Sequence, residues 1–254
     1  MSDRAAILQS LLDLSHDLGR EDRALAILGE GNTSARLSDE TFLVKASGST
    51  LGTLREEDVV ECRSAPLLAM LDRTDLTDQQ IEDELFACRV DPAAKKPSVE
   101  ALFHAQLLSL PGIRFVAHAH PIHVNRLLCS NRAAEFAENR LFPDEIVCCG
   151  PKSVLVPYTD PGLVLSRVIR SGITQYMDEA GGAVPRVVLL VNHGVITLGA
   201  SPSAAKAAMF MADKAARIFG GAAALGGPVF LTPAQVDRIA NRIDEHYRQR
   251  ALKL

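Results

Sequence analysis

The segment RVVLLVNHGVITLG at residues 186–199 limits the fold more than any other part of the chain. Two apolar runs rich in β-branched residues flank a tight break at Asn192-His193-Gly194. Each run has the length of a strand and is too short for a core helix. A break this short brings the second strand back beside the first, so the pair must run antiparallel. The stretch 32–47 reads the same way, with TFLVKAS following NTSARL across Ser38-Asp39-Glu40. A sheet that contains such hairpins is not all parallel.

Helices are expected between the strands. Ile7, Leu8, Leu11, Leu12 and Leu18 lie on one helical stripe over 4–18. Residues 64–90 read as two helices, the second capped by Thr77 or Asp78 and ended by Asp91-Pro92. Pro97-Ser98 opens another helix, which Pro111-Gly112 stops. IRFVAHAH reads as a strand, PIHVNRLLCS as a helix, and EIVCC and VLVPY as short strands. Further helices are expected over 161–178, 202–219 and 233–249, with GGAAALGGP at 220–228 as a mobile loop. The alternation has no repeat period and no long linker. It predicts one α/β domain over 1–254, with helices packed on a central sheet.

Composition excludes several function classes. The formal net charge is −4, with no long run of one sign, so no footprint for nucleic acid or an anionic membrane is expected. Cys62, Cys88, Cys129, Cys148 and Cys149 are odd in number and contain no CxxC pair. They read as reduced thiols of a cytoplasmic protein, not as a disulfide framework or a thiolate zinc site. The N-terminus lacks the pattern of a signal peptide, and no run of eighteen apolar residues could span a bilayer.

Histidine carries the chemical signal. His118 and His120 end an apolar strand, where residues i and i+2 point to one face and can reach one metal ion. Two polar residues on a solvated strand face are the bland alternative. His193 follows an apolar strand that carries it inward, and Gly194 permits the break after it. Alone it reads as a buried, hydrogen-bonded histidine. Together the three form an N₃ set that leaves metal positions open for substrate. Glu100 falls in the first turn of its helix, four residues before His104 and on the same face. It is either a residue favoured by the helix dipole or a general base beside the metal. His104 either positions that carboxylate or serves as a ligand. His123 reads as a helix-surface residue, and His16 and His246 as residues of amphipathic terminal helices.

Three polar turns could hold an anion through backbone N–H groups: Gly31-Asn32-Thr33-Ser34, Ser47-Gly48-Ser49-Thr50, and Ser98. GEGNTS lacks the third glycine of a dinucleotide fingerprint and precedes a hairpin, and GxxxxGK[ST] is absent. No nucleotide site is expected.

Taken in order, GNTS (31–34), KASGS (45–49), PSVEALFH (97–104), HAHPIH (118–123), VPYTDPG (156–162) and NHGVITLG (192–199) resemble the class II aldolase/adducin family. EGNTSARL, KASGSTLGTL and DPAAKKPSVEALFH look most like the aldolase portion of bifunctional rhamnulose-1-phosphate aldolase/lactaldehyde dehydrogenases. There is also similarity to fuculose-phosphate aldolases. The resemblance implies a three-layer αβα sandwich around a mixed, largely antiparallel sheet. It implies one divalent metal per subunit, usually zinc, on His118, His120 and His193, with Glu100 as the acid/base. Phosphate would bind at Asn32, Ser47, Gly48 and Ser98, with Gly31 in the same turn. Family members are commonly cyclic homotetramers with sites at subunit boundaries. The implied reaction is cleavage of a ketose 1-phosphate to dihydroxyacetone phosphate and an aldehyde, through an enediolate stabilised by the metal.

The chain departs from fuculose-phosphate aldolases at two places. Val99 stands where they carry a second serine. Phe142, Asp144 and Glu145 occupy the region where they supply a tyrosine, for which Tyr247 is a candidate replacement. Related sugar-phosphate epimerases, dehydratases and decarboxylases share the metal set. A hydrolase could use the same metal to activate water. A non-catalytic, adducin-like module is the alternative of another class, and it predicts loss of metal ligands.

Overall fold

The computed structural model describes residues 3–252. Helix α1 (Asp3–Leu18) buries Ile7, Leu8, Leu11, Leu14 and Leu18. Strands β1 (Asn32–Arg36) and β2 (Thr41–Lys45) form the expected hairpin, and β3 (Val59–Arg63) extends it. Two helices follow, α2 (Ser64–Met70) and α3 (Asp78–Ala87). Thr77 caps the second in a capping box with Gln80. Helix α4 (Ala101–Leu108) leads into β4 (Phe115–Ala119) and α5 (Ile122–Leu128). Beyond them lie α6 (Ala133–Glu138), α7 (Pro143–Cys149), β5 (Val154–Val156) and α8 (Leu163–Glu179). Strands β6 (Val187–Leu190) and β7 (Gly194–Gly199) precede α9 (Pro202–Ala224), α10 (Pro233–Ala240) and α11 (Ile243–Leu252).

Among the described residues, the strands form one sheet in the order β3-β2-β1-β4-β7-β6-β5. Every neighbouring pair is antiparallel except β5 and β6. Strand side chains alternate between the two faces. Ala35, Leu43, Ala117, Leu189 and Val195 join one core with α1, α5 and α9. Val44, Val116, Val188 and Ile196 join the other with α2, α4 and α8. The result is a helix–sheet–helix sandwich. His118 shares its face with Val116, so it points toward α4.

Several expected elements differ, and the helix expected to open at Pro97-Ser98 begins only at Ala101. EIVCC lies in α7, not in a strand: Pro143 takes the first helical position, where its missing N–H is no loss, and Asp144 and Glu145 fill the first turn. The loop expected from residue 220 starts later, because α9 runs through Gly220 and Gly221 to Ala224. The helix expected over 233–249 is two helices, with α10 ending at Ala240 and capped by Asn241. The side chain of His246 lies outside the described residues.

Candidate active site

The antiparallel register places Asn32 at the start of β1 directly opposite His118 near the end of β4. On the other side of β4, Ala119 pairs with Val195, just after the β6–β7 turn that carries His193. Three elements therefore converge at one end of the sheet. The three imidazoles stand as a nearly equilateral triangle, with ring centroids 4.8, 4.9 and 5.0 Å apart. One ligand nitrogen from each lies within 4.8 Å of the others, the one such cluster among the described residues.

Two glycines make this approach possible. A Cβ on Gly194 would stand 2.6 Å from both the Ala119 carbonyl oxygen and His120 Cδ2. Gly194 is thus required by crowding; the left-handed residue of the turn is Asn192, at φ 55°. This corrects the expectation that Gly194 supplies the bend. Gly31, at φ +68°, would bring a Cβ within 2.5 Å of the His118 carbonyl oxygen.

The donor set suits a metal ion. His118 is fully buried and faces the Val195 carbonyl through Nδ1 at 3.1 Å. A carbonyl only accepts, so Nδ1 carries the proton and Nε2 keeps its lone pair. That lone pair faces His120 Nε2 at 3.0 Å. His193 Nδ1 is buried and has no hydrogen-bond partner, which burial ordinarily forbids. Burial pushes all three imidazoles toward the neutral form, His118 down to about 3. Three neutral nitrogens on one point fit a borderline-soft divalent cation with coordination positions left for substrate.

Glu100 sits beside this triangle. It is the N-cap residue of α4, not a residue of its first turn, and its side chain makes no cap hydrogen bond. Its carboxylate is free of the helix and directed by others. Oε1 lies 3.4 Å from His193 Nε2 and 3.7 Å from His118 Nε2. Oε2 accepts a short hydrogen bond from Asn32 Nδ2. Asn32 Oδ1 must then accept, and it does so from His104 Nε2. His104 Nδ1 in turn accepts from Ser34 Oγ at 2.6 Å. The chain Ser34–His104–Asn32–Glu100 therefore has one polarity, with every donor pointing toward the carboxylate. His104 is fully buried, and desolvation holds its pKa well below 6.5, as the neutral tautomer requires. His104 thus positions Asn32, which holds Glu100, and it stands outside the metal cluster.

The polar turns assemble next to Glu100. Ala46 bridges to Pro97, and Ser47 N–H donates to the Lys96 carbonyl at 2.9 Å, so Ser47 and Ser98 come from adjacent strands of chain. Gly48 is exposed at φ +77°. Ser98 Oγ accepts from the Glu100 N–H at 3.3 Å. The buried Lys45 ammonium reaches the Gly29 carbonyl at 3.5 Å and draws the Gly29–Gly31 turn to the same place. Asn32 stands beside this group, with its amide also donating to Glu100 and accepting from His104.

Several functional neighbours escaped sequence reasoning. Ser34 fixes the His104 tautomer, and Asn125 Nδ2 donates to the His193 carbonyl at 3.0 Å. Glu30 Oε1 stands 3.8 Å from His120 Nδ1. Ser34 lay inside a motif that drew attention for its turn. Asn125 and His193 are 68 residues apart, and no local pattern links them. Glu145 is buried and accepts from the Leu141 N–H at 2.7 Å, which ties down the entry to α7. Tyr158 is exposed and donates to Asp160 at 3.1 Å, and Tyr247 is exposed on α11. Neither belongs to the cluster described here.

Comparison with known proteins agrees with this geometry. The family described as the Class II Aldolase and Adducin N-terminal domain matches residues 9–219. An uncharacterized oxidoreductase of Bacillus subtilis (strain 168), YuxG, is 29% identical over 210 residues, which are 78% of this chain and 28% of that protein. The chain therefore spans less than a third of that relative's length. The 3-oxo-tetronate 4-phosphate decarboxylase of Haemophilus influenzae (strain ATCC 51907 / DSM 11121 / KW20 / Rd) is 28% identical over 193 residues, covering 74% of this chain and 76% of that one. Among solved structures, an L-fuculose 1-phosphate aldolase superposes with a TM-score of 0.70 at 19% identity, over 94% of this chain and 97% of the other. At that identity the likeness concerns the fold.

Proposed function

Because this chain belongs to the class II aldolase and adducin family, we propose that it is a metal-dependent aldolase that cleaves a ketose 1-phosphate into dihydroxyacetone phosphate and an aldehyde. The observation that carries this reading is the division of labour on Glu100: one oxygen is held by Asn32, and the other is aimed at the histidine triangle. A carboxylate fixed in that way suits proton transfer at a carbon next to a carbonyl.

His118, His120 and His193 would hold the metal, with zinc as the first candidate. When bound, it would supply Lewis-acid stabilisation of negative charge developing on substrate oxygens. Glu100 Oε1 takes the substrate proton, or returns it to the reacting carbon. The relay from Ser34 to Asn32 keeps Oε2 from rotating into that role, and the apolar wall of Phe103 and Ile196 limits water around His118. Ser47, Gly48 and Ser98, with the Gly31 turn, form the anion end that would receive the phosphate through hydroxyls and backbone N–H groups. Val99 leaves that end one hydroxyl poorer than in fuculose-phosphate aldolases. A single domain, a homotetrameric assembly and a cytoplasmic setting complete the reading. Among the described residues no helix is long and apolar enough to cross a membrane.

A second reading has its own support. The decarboxylase relative acts, by its name, on a 3-oxo acid phosphate, and the match covers three quarters of both chains. Both reactions leave a carbanion next to a carbonyl, so the same groups serve either.

The test is product analysis. Dihydroxyacetone phosphate release from a panel of ketose 1-phosphates is expected with metal-loaded protein, not with metal-stripped protein, and at least about 10²-fold slower in Glu100→Gln. Carbon dioxide release from 3-oxo-4-phosphate acids, without aldol cleavage of any ketose phosphate, would move the assignment to decarboxylation.

A further inference from the structure

A second cationic site lies on the other face of the sheet, between α5 and α9. A cavity of about 350 Å³ opens there, lined by His123, Arg126, Leu127, Arg217, Gly220 and Gly221 among others. Arg126 and Arg217 come from facing helices and border the same space. Neither has an ion-pair partner among the described residues. Some other surface cations do have such a partner: Lys206 pairs with Asp17 at 2.5 Å, Lys152 with Glu179 at 2.5 Å and Arg132 with Glu135 at 2.6 Å. Arg126 instead donates a long hydrogen bond, 3.4 Å, to His123 Nδ1, a contact that supplies no negative charge. The two arginines are like charges on one cavity and repel one another unless something negative comes between them.

One acid lies close by. Asp213 on α9 feels both His123 and Arg217 and accepts from the His123 backbone N–H, but it forms no ion pair with either arginine among the described residues. In a chain of net charge −4, this is a local excess of positive charge.

The helix also leaves room. Gly220 and Gly221 lie in α9 with ordinary helical φ, and a Cβ on either would meet nothing within 4 Å. Neither backbone nor internal packing calls for glycine there, although glycine weakens a helix relative to alanine. Side chains at these positions would project beside the cavity that the arginines border. The volume sits at the small end of ligand pockets.

We propose that the α5–α9 cavity is a phosphate-binding site, separate from the metal centre, in which Arg126 and Arg217 clasp a phosphate or a small phosphorylated metabolite. Guanidinium forks match phosphate oxygens in pairs, which suits two arginines converging from different helices. The site has a structural route to the metal centre. Helix α5 begins two residues after His120, and its Asn125 holds the His193 carbonyl. A ligand that draws α5 and α9 together acts on the turn that carries His193.

The test titrates inorganic phosphate into metal-loaded full-length protein by calorimetry. It uses a Ser47→Ala/Ser98→Ala background, which removes the hydroxyls of the proposed substrate end. One phosphate is expected to remain bound. Its affinity should fall at least about tenfold when Arg126→Gln and Arg217→Gln are added, as expected for losing charge-assisted hydrogen bonds. Gly221→Leu, which fills space beside the cavity, should weaken it without altering charge. The free phosphorylated products of the reaction, titrated in the same way, separate a metabolite site from one for phosphate alone. The proposal is overturned if the residual phosphate binding is absent, or is unchanged by the arginine substitutions. It is equally overturned if those substitutions change the assembly mass in light scattering, because the arginines would then pair with a second copy of the chain.

Discussion

Around Glu100 the polar side chains are locked in a directed chain, whereas at the proposed anion end Ser47 and Gly48 are exposed turn residues and Ser98 is half-buried. The first region is enclosed: His104 and His118 are fully buried, and Asn32 is 3% exposed. Ser47 and Gly48 lie open to solvent. Buried polar groups cost stability unless paired, so the enclosed region tolerates little change. An exposed turn carries no such penalty. On the proposed function, the contrast implies that the proton-transfer groups are fixed by the fold, while the proposed phosphate end is adjustable on the surface.

Breaking the enclosed region at its metal end should have the largest effect. His193→Ala removes one of three nitrogens, and metal content by mass spectrometry is expected to fall from near one per chain to a small fraction, with activity lost alongside. Retention of stoichiometric metal and activity would show that the triangle is not the metal centre.

Breaking the relay should come next. Asn32→Leu leaves the ligands intact but frees Glu100 Oε2 and strands His104 Nε2. A fall of roughly ten- to a hundredfold in kcat is expected, with unchanged metal content and little change in KM, the signature of lost catalytic positioning. An equal loss of metal would mean that Asn32 serves the fold of the triangle instead.

The relay also has a pH signature. The folded state holds His104 well below 6.5, while the unfolded chain protonates it near 6.5. Below that pH the unfolded state binds the additional proton, so stability is fully present above about 6.5 and declines as the pH falls. The slope is about 1.4 kcal/mol per pH unit for one such group. Urea unfolding of metal-free protein at pH 7.5 and 5.5 should show this decline, and His104→Gln should reduce it. An unchanged slope would place His104 outside the titration.

The smallest effect is expected in the exposed region. Ser98→Ala or Ser47→Ala should raise KM for a phosphorylated substrate several-fold and leave kcat nearly unaltered, because one neutral hydrogen bond contributes about 0.5–1.5 kcal/mol. A change in kcat without one in KM would remove these turns from phosphate binding.

What the sequence made legible follows from range. His118 and His120 could be paired because strand alternation is a local rule, and the hairpins at 32–47 and 186–199 could be read because apolar runs and turn residues adjoin. The family motifs then tied His193 and Glu100 to them. The helix at 143–149 was hidden by its apolar Ile146-Val147-Cys148-Cys149 run, although Pro143 and the acidic first turn were the signals that identified it. The helical course of Gly220 and Gly221 overrode their weak propensity because Phe219, Ala215 and Ala216 anchor the same helix in the core. The relay was beyond reach, since Ser34 and His104 meet across 70 residues and only the β1–β4 register brings them together.

The most direct measurement is exchange of a carbon-bound proton of dihydroxyacetone phosphate with deuterium from solvent, followed by proton NMR. Native and Glu100→Gln proteins would be compared at equal metal content. The expected result is metal-dependent exchange by the native protein and exchange at least about 10²-fold slower in the variant. Exchange at the native rate by metal-loaded Glu100→Gln would contradict the assignment of Glu100 as the proton-transfer group.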